Sequence, residues 1–311
     1  MNRTDLNCPL DITNKFYTSP PLRRFFYPLA VLNCVIDGCL PITSVGGSAL
    51  LIAAVIKFPQ LRDVPSNFLL ASQAFCDLLI GLLVQPLLTA RHVSFLLGKC
   101  LLISQSNFFK GFASYWLHAL LFSSCLNICL ITIDRYICIA HSLRYQTLVT
   151  DEGVIKAITA SWLFSLAFAI IQALPFLPET TIVKTTVRVF SVIPPLLLVF
   201  TTFFCYTKMA KIARRHKRQI RAQMNVIQGP TEQDFQSTKT TLLMVGVIFL
   251  CYVPAVIVVL GLYANNNLAL LEAIKPFVAT LAILNSSINP LVYYVRSRKI
   301  RRYVWKVLKC E

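Results

Sequence analysis

Seven long hydrophobic blocks, separated by short polar connections, organise this chain. They run approximately over Leu29–Ile56, Phe68–Leu88, Ile103–Cys138, Val154–Phe176, Val187–Ala210, Thr240–Tyr263 and Leu270–Val295. Each holds the roughly 20 mostly apolar residues that a helix needs to cross a hydrocarbon core of about 30 Å. The pattern predicts an all-α fold, a seven-transmembrane helix bundle over residues 29–295. An extracellular segment over 1–28 precedes it, and a short amphipathic cytoplasmic helix with a tail follows over 296–311.

Composition agrees with this picture. The 311 residues are 56% hydrophobic and only 14% charged, against about 25% charged in soluble domains, so the expected solvent is a bilayer. The net charge of +17 does not point to nucleic acid, because the basic residues gather in particular connections. Lys57, Arg62, Arg144, Lys156, the run from Lys208 to Arg221 and the tail from Arg296 to Lys309 all fall on one side. Basic residues collect on the cytoplasmic side, which predicts a multi-pass plasma-membrane protein with an extracellular amino terminus. No signal-peptide pattern precedes the first block. Asn2 opens an Asn-Arg-Thr sequon on the outer side and is a candidate glycosylation site. Of the eleven cysteines, Cys76, Cys125, Cys129, Cys205 and Cys251 fall within blocks, where a thiol acts as a small hydrophobe. Cys8 and Cys100 fall outside, and spacing alone leaves open whether they bridge.

Polar residues in mid-span are costly and are functional candidates. Asp77 in the second block, Ser124 in the third, and Asn285, Ser286 and Asn289 in the seventh are such residues. Asn285, Asn289 and Tyr293 are spaced four apart and share one helix face. Asp77, Ser124, Asn285 and Asn289 are candidates for an all-oxygen cluster around water or a small hard cation; a purely structural hydrogen-bond network is the alternative. The third block ends in Asp134-Arg135-Tyr136, three turns from Ser124 on nearly the same face. Asp234, at the start of the sixth block, has two readings: a cross-bundle partner for Arg135, and an ordinary helix-start acid. Pro254 and Pro290 each remove a backbone hydrogen bond and are candidate kinks. The four histidines, His92, His118, His141 and His216, have no metal-ligand spacing. No nucleophile–base pair suggests an enzyme, and no internal repeat suggests a transporter. A transporter or a non-signalling seven-helix protein remains the alternative.

Together these residues resemble the rhodopsin-like (class A) G-protein-coupled receptors. Asn67 and Asp77 match the N…LAxxD pattern, Asp134-Arg135-Tyr136 the DRY motif, and Trp162 the Trp of the fourth span. Tyr206 matches the fifth-span Tyr, Cys251-Tyr252-Val253-Pro254 resembles CWxP, and Asn289-Pro290-Leu291-Val292-Tyr293 is NPxxY. The resemblance implies that Arg135, Tyr206 and Tyr293 rearrange to admit a heterotrimeric G protein, with Leu143 docking on it. It also implies a sodium site at Asp77, Ser124, Asn285 and Asn289, no other cofactor, and a palmitate on Cys310. The helix over Arg296–Lys309 would lay Ile300, Tyr303, Val304, Val307 and Leu308 toward membrane lipids.

The outer half departs from that pattern. Ser48 stands where the family has Asn, Tyr252 replaces the Trp above the kink, and Lys110 replaces the Cys of the usual outer disulfide. The melanocortin, sphingosine-phosphate and cannabinoid groups depart similarly in part, and the tail is similar to the melanocortin and adenosine groups. Leu117 lies where aminergic receptors place an Asp, and Ile283 where opsins place the retinal Lys. The reading is therefore an orphan-type receptor for an unknown extracellular ligand, neither an amine held by an Asp there nor retinal. Candidate pocket positions are Arg91, Leu117, His118, Leu121, Tyr252, Val259, Lys275 and Ala279. Their largely apolar character favours an apolar ligand, or a lipid with an acidic head near Arg91 or Lys275.

Overall fold

The computed structural model describes residues 20–96, 107–173 and 268–309, with parts of 196–212 and 246–261. All regular structure among the described residues is helical. Tyr206, Asp234, Val259, Asn2, Cys8, Cys100 and Cys310 lie outside them.

Helix α1 spans Pro20–Lys57, nine residues longer at its start than the hydrophobic block. The fixed φ of Pro20 suits a helix's first turn. At the other end Pro59 disfavours helical backbone at the residue before it, and Phe58 is extended (φ −108°, ψ 111°). A one-turn helix, Pro59–Arg62, and an extended Val64 lead to α2, Pro65–Leu79. The second span then passes through a π-helical turn, Ile80–Val84, into α3, Gln85–Leu96. That turn carries Gly81, where a Cβ would lie 2.6 Å from Ser44 Oγ and Val45 Cγ2. The Ser44 and Val45 side chains of α1 reach the backbone of the second span there because Gly81 has no side chain to hold them off.

Helix α4, Asn107–Ala140, packs between α2 and α5, the latter spanning Asp151–Ala173. Asp151 and Glu152 occupy the first turn of α5, where acidic groups complement the helix dipole. Helix α6, Leu268–Arg296, returns against α1. Five helices among the described residues are long and apolar enough to cross a membrane, and the described parts of the fifth and sixth blocks are helical too. Leu120, Ile80, Val84 and Ile283 form a buried centre between α4, the second span and α6.

Helix α7, Arg298–Leu308, is the amphipathic helix expected after the last span. Ser297 caps it, its hydroxyl accepting from the Ile300 N–H at 3.2 Å. Its apolar face turns inward, which corrects the expectation that it faces lipid. Ile300 and Val304 are buried with Leu51, Val55, Leu61 and Val292, while Tyr303 and Val307 pack against the same cluster. The Tyr303 ring lies 4.8 Å from that of Phe58. Leu308 and Trp305 are exposed. The reason is proximity: the turn after α1 presents an apolar surface that covers the helix before lipid can.

Candidate functional site

The described polar residues form layers through the bundle, from the amino-terminal end of α1 to the mouth of α4, its carboxyl-terminal end. The central layer surrounds Asp77, which is fully buried. Gln73 Nε2 donates to Asp77 Oδ1 at 2.9 Å, and Asn289 Nδ2 donates to Asp77 Oδ2 at 3.1 Å. Gln73 Nε2 also donates to Ser124 Oγ at 2.9 Å, and Asn285 Nδ2 reaches the same hydroxyl at 3.5 Å. Asp77, Ser124, Asn285 and Asn289 therefore converge, with Gln73 as an unforeseen fifth member. Ser48 is buried too, and its hydroxyl has no hydrogen-bond partner among the described residues.

These oxygens have the hard-donor chemistry that a sodium ion takes. Asn285 Oδ1 and Asn289 Oδ1 are buried acceptors without a donor among the described residues, a setting that suits water. Asp77 Oδ1 and Ser124 Oγ, however, both already face N–H donors of one amide. A cation between these two would meet the positive ends of those N–H bonds. This arrangement does not fit an ion held between α2 and α4.

Two further layers lie toward the amino-terminal end of α1, between the first, second and seventh spans, and the sequence reading missed both. Ser44 Oγ donates to Gln85 Oε1 at 2.9 Å, and Gln85 Nε2 donates to Ser287 Oγ at 3.1 Å. Nearer that end of α1, Thr280 Oγ1 donates to Asp37 Oδ2 at 2.8 Å, and Asn33 Nδ2 donates to Thr280 Oγ1 at 2.8 Å. Asn33 Nδ2 also lies 3.0 Å from His92 Nε2. Asp37, the acid at the heart of this layer, is fully buried. The signal for it was present: an acid in mid-span with Asn33 one turn away on the same face. A side network joins α2, α4 and α5, where Ser72 Oγ donates to Asn127 Oδ1 at 2.7 Å and Trp162 Nε1 donates to Ser72 Oγ at 3.1 Å.

At the mouth of α4, Arg135 Nη2 lies 2.6 Å from Asp134 Oδ2. The Tyr145 hydroxyl donates to Asp134 Oδ1 at 2.7 Å. Burial and the Asp134 carboxylate push the Tyr145 phenol above its usual range, so it stays a donor at physiological pH. Tyr145 sits on a one-turn helix, Tyr145–Leu148, that the sequence reading gave no role. Leu143, on the turn before it, is fully exposed at 101%, and Tyr136 is half-buried. Tyr293 is buried at the end of α6, within the cluster that receives α7. The described residues do not test an Arg135–Asp234 pair.

The candidate pocket positions divide. Tyr252 is buried with Cys125, Ile128, Cys251 and Ala282, so it bridges the sixth block, α4 and α6 from the place of the expected Trp. Leu117, Leu121 and Ala279 pack on the cluster around Leu120 and Ile283. Their apolar character thus has protein partners. His118 is half-buried on α4; Arg91 and Lys275 lie on α3 and α6, their side chains outside the description.

Comparison with known proteins follows the same lines. A family model described as 7 transmembrane receptor (rhodopsin family) matches residues 47–293. Trace amine-associated receptor 5 of Mus musculus is 27% identical over 316 residues, covering 93% of this chain and 88% of that receptor. Histamine H2 receptor of Cavia porcellus is 27% identical, covering 94% of this chain and 84% of its own length. Trace amine-associated receptor 9 of Mus musculus is 27% identical, with 86% and 81% covered. These names lie outside the melanocortin, adenosine and lipid-receptor groups to which the outer-half departures and the tail pointed.

Proposed function

Since the chain belongs to the rhodopsin family of seven-transmembrane receptors, we propose that it carries an extracellular signal across the plasma membrane to a heterotrimeric G protein. The observation that carries this reading is the clasp at the mouth of α4. Arg135 is held by Asp134, which Tyr145 holds in turn, directly beside the exposed Leu143. A carboxylate shared between a half-buried tyrosine and one arginine, able to release that arginine, is a two-state element of the kind switching requires. In this reading Asp134, Arg135, Tyr136 and Tyr145 keep the mouth closed. Tyr206, Asp234 and Tyr293 take part in its opening, and Leu143 docks on the partner. The amino terminus, with Asn2, is extracellular, and Cys310 on the cytoplasmic side carries a lipid.

The ligand is an extracellular molecule of unassigned class. The names of the relatives favour an amine as one reading, and a leucine at 117 does not exclude it. An amine would then need another acid, and Asp37 is the buried acid that the described outer half supplies.

Membranes carrying Arg135→Ala, assayed for guanine-nucleotide exchange against a panel of G proteins, test the signalling reading. Exchange is expected to be lost while the receptor still reaches the surface. Exchange equal to wild type would overturn the assignment.

A further inference from the structure

Position 73 breaks the pattern that the second span otherwise follows. Gln73-Ala74-Phe75-Cys76-Asp77 stands where the resemblance expects Leu-Ala-x-x-Asp. A glutamine amide deep in a membrane bundle is costly unless its polar atoms are satisfied. Gln73 is fully buried, and its one nitrogen lies 2.9 Å from Asp77 Oδ1 and 2.9 Å from Ser124 Oγ. An amide nitrogen has two N–H donors. Both are therefore engaged, one along its own helix and one across to α4. Gln73 Oε1 has no hydrogen-bond partner among the described residues, so the two donors alone fix the position of the side chain.

The two acceptors are the oxygens on α2 and α4 that a cation bound between those helices would need. An amide and an ion cannot share the one place between them. A cation within coordination distance of both oxygens would sit against the amide hydrogens, which carry positive partial charge. The amide already supplies part of what the ion would: positive charge density toward Asp77, and a tie between the second and third spans.

We propose that Gln73 is a built-in substitute for a monovalent cation. Its amide occupies the cation seat between Asp77 and Ser124, makes the polar core insensitive to sodium, and conceals a sodium site that its removal uncovers. This deepens the receptor reading by assigning the regulation of its core, and it does not depend on coupling to any G protein.

The full-length chain, purified in detergent, is unfolded thermally across a series of sodium chloride concentrations. The control series holds ionic strength constant with N-methyl-D-glucamine chloride. Wild type is expected to give the same Tm in both salts. Gln73→Leu keeps much of the side chain's bulk without the donors, and its Tm in sodium should rise saturably by about 2–4 °C. Gln73→Leu combined with Asp77→Asn should lose that rise. If Gln73→Leu does not fold, Gln73→Met, unbranched like glutamine, takes its place. A saturable sodium shift in wild type equal to that of the variant overturns the proposal, as does a folded variant with no shift. The readout involves no nucleotide exchange, so failure here and failure of the signalling reading are distinguishable.

Discussion

His92 Nδ1 lies 2.9 Å from Asp37 Oδ2, with both side chains buried, and this contact joins α3 to α1. Thr280 brings α6 to the same carboxylate oxygen, and Asn33 reaches both Thr280 and His92. Three spans meet on one acid. In water such contacts are weak, but here the alternative is an unpaired polar group in hydrocarbon.

Asp37→Leu would leave Thr280 and His92 without their shared acceptor. Unfolding stability in detergent is expected to fall by about 1–3 kcal/mol, with Asp37→Asn falling less. Adding His92→Phe to Asp37→Leu should cost less than the two single losses summed, because the pair shares one interaction. Additive losses, or an Asp37→Leu variant as stable as wild type, would refute the three-helix junction.

A Cβ at Gly47 would lie 2.6 Å from Pro290 Cβ. A proline ring cannot swing aside, so Gly47→Ala must push α1 and α6 apart where the Tyr294 hydroxyl donates to the Gly47 carbonyl. The expected cost is about 1–3 kcal/mol, read as a lower Tm. Gly38 is the control: nothing lies within 4 Å of its built Cβ, so Gly38→Ala should be neutral or slightly stabilising. Equal effects at both positions would contradict the close helix approach.

Tyr145→Phe removes the hydroxyl that holds Asp134 Oδ1 and keeps the ring. Hydrogen bonds to charged groups contribute about 1.5–3 kcal/mol, enough to shift a closed mouth toward opening. Ligand-independent nucleotide exchange is expected to rise several-fold over wild type at equal surface density. Unchanged basal exchange would remove Tyr145 from the clasp.

The legible parts of this protein were those in which one residue's meaning follows from its neighbours in sequence. Asp77, Asn289 and Asp134 stood out as polar groups within or at the ends of apolar runs. Gln73 and Gln85 did not, because neither belongs to a motif that the sequence analysis matched, and the role of each amide depends on what lies across the helix interface. Asp37 was overlooked although its charge made it visible. The inward face of α7 was unreadable for a different reason: a 3.6-residue period shows that a helix has an apolar face, not whether protein or lipid covers it.

The helical spans, the sidedness expected from basic residues and the chemistry available at each depth are legible from the order of residues alone. Those follow from hydrocarbon thickness, charge placement and residue type, all local along the chain. Only the tertiary structure decided which polar groups meet. It placed one amide between Asp77 and Ser124, made Asp37 the meeting point of three spans, and let Tyr145 close on Asp134. Such pairings depend on helix rotation and approach, set by contacts such as Gly47 against Pro290 and Gly81 against Ser44. A hydropathy pattern carries no record of them.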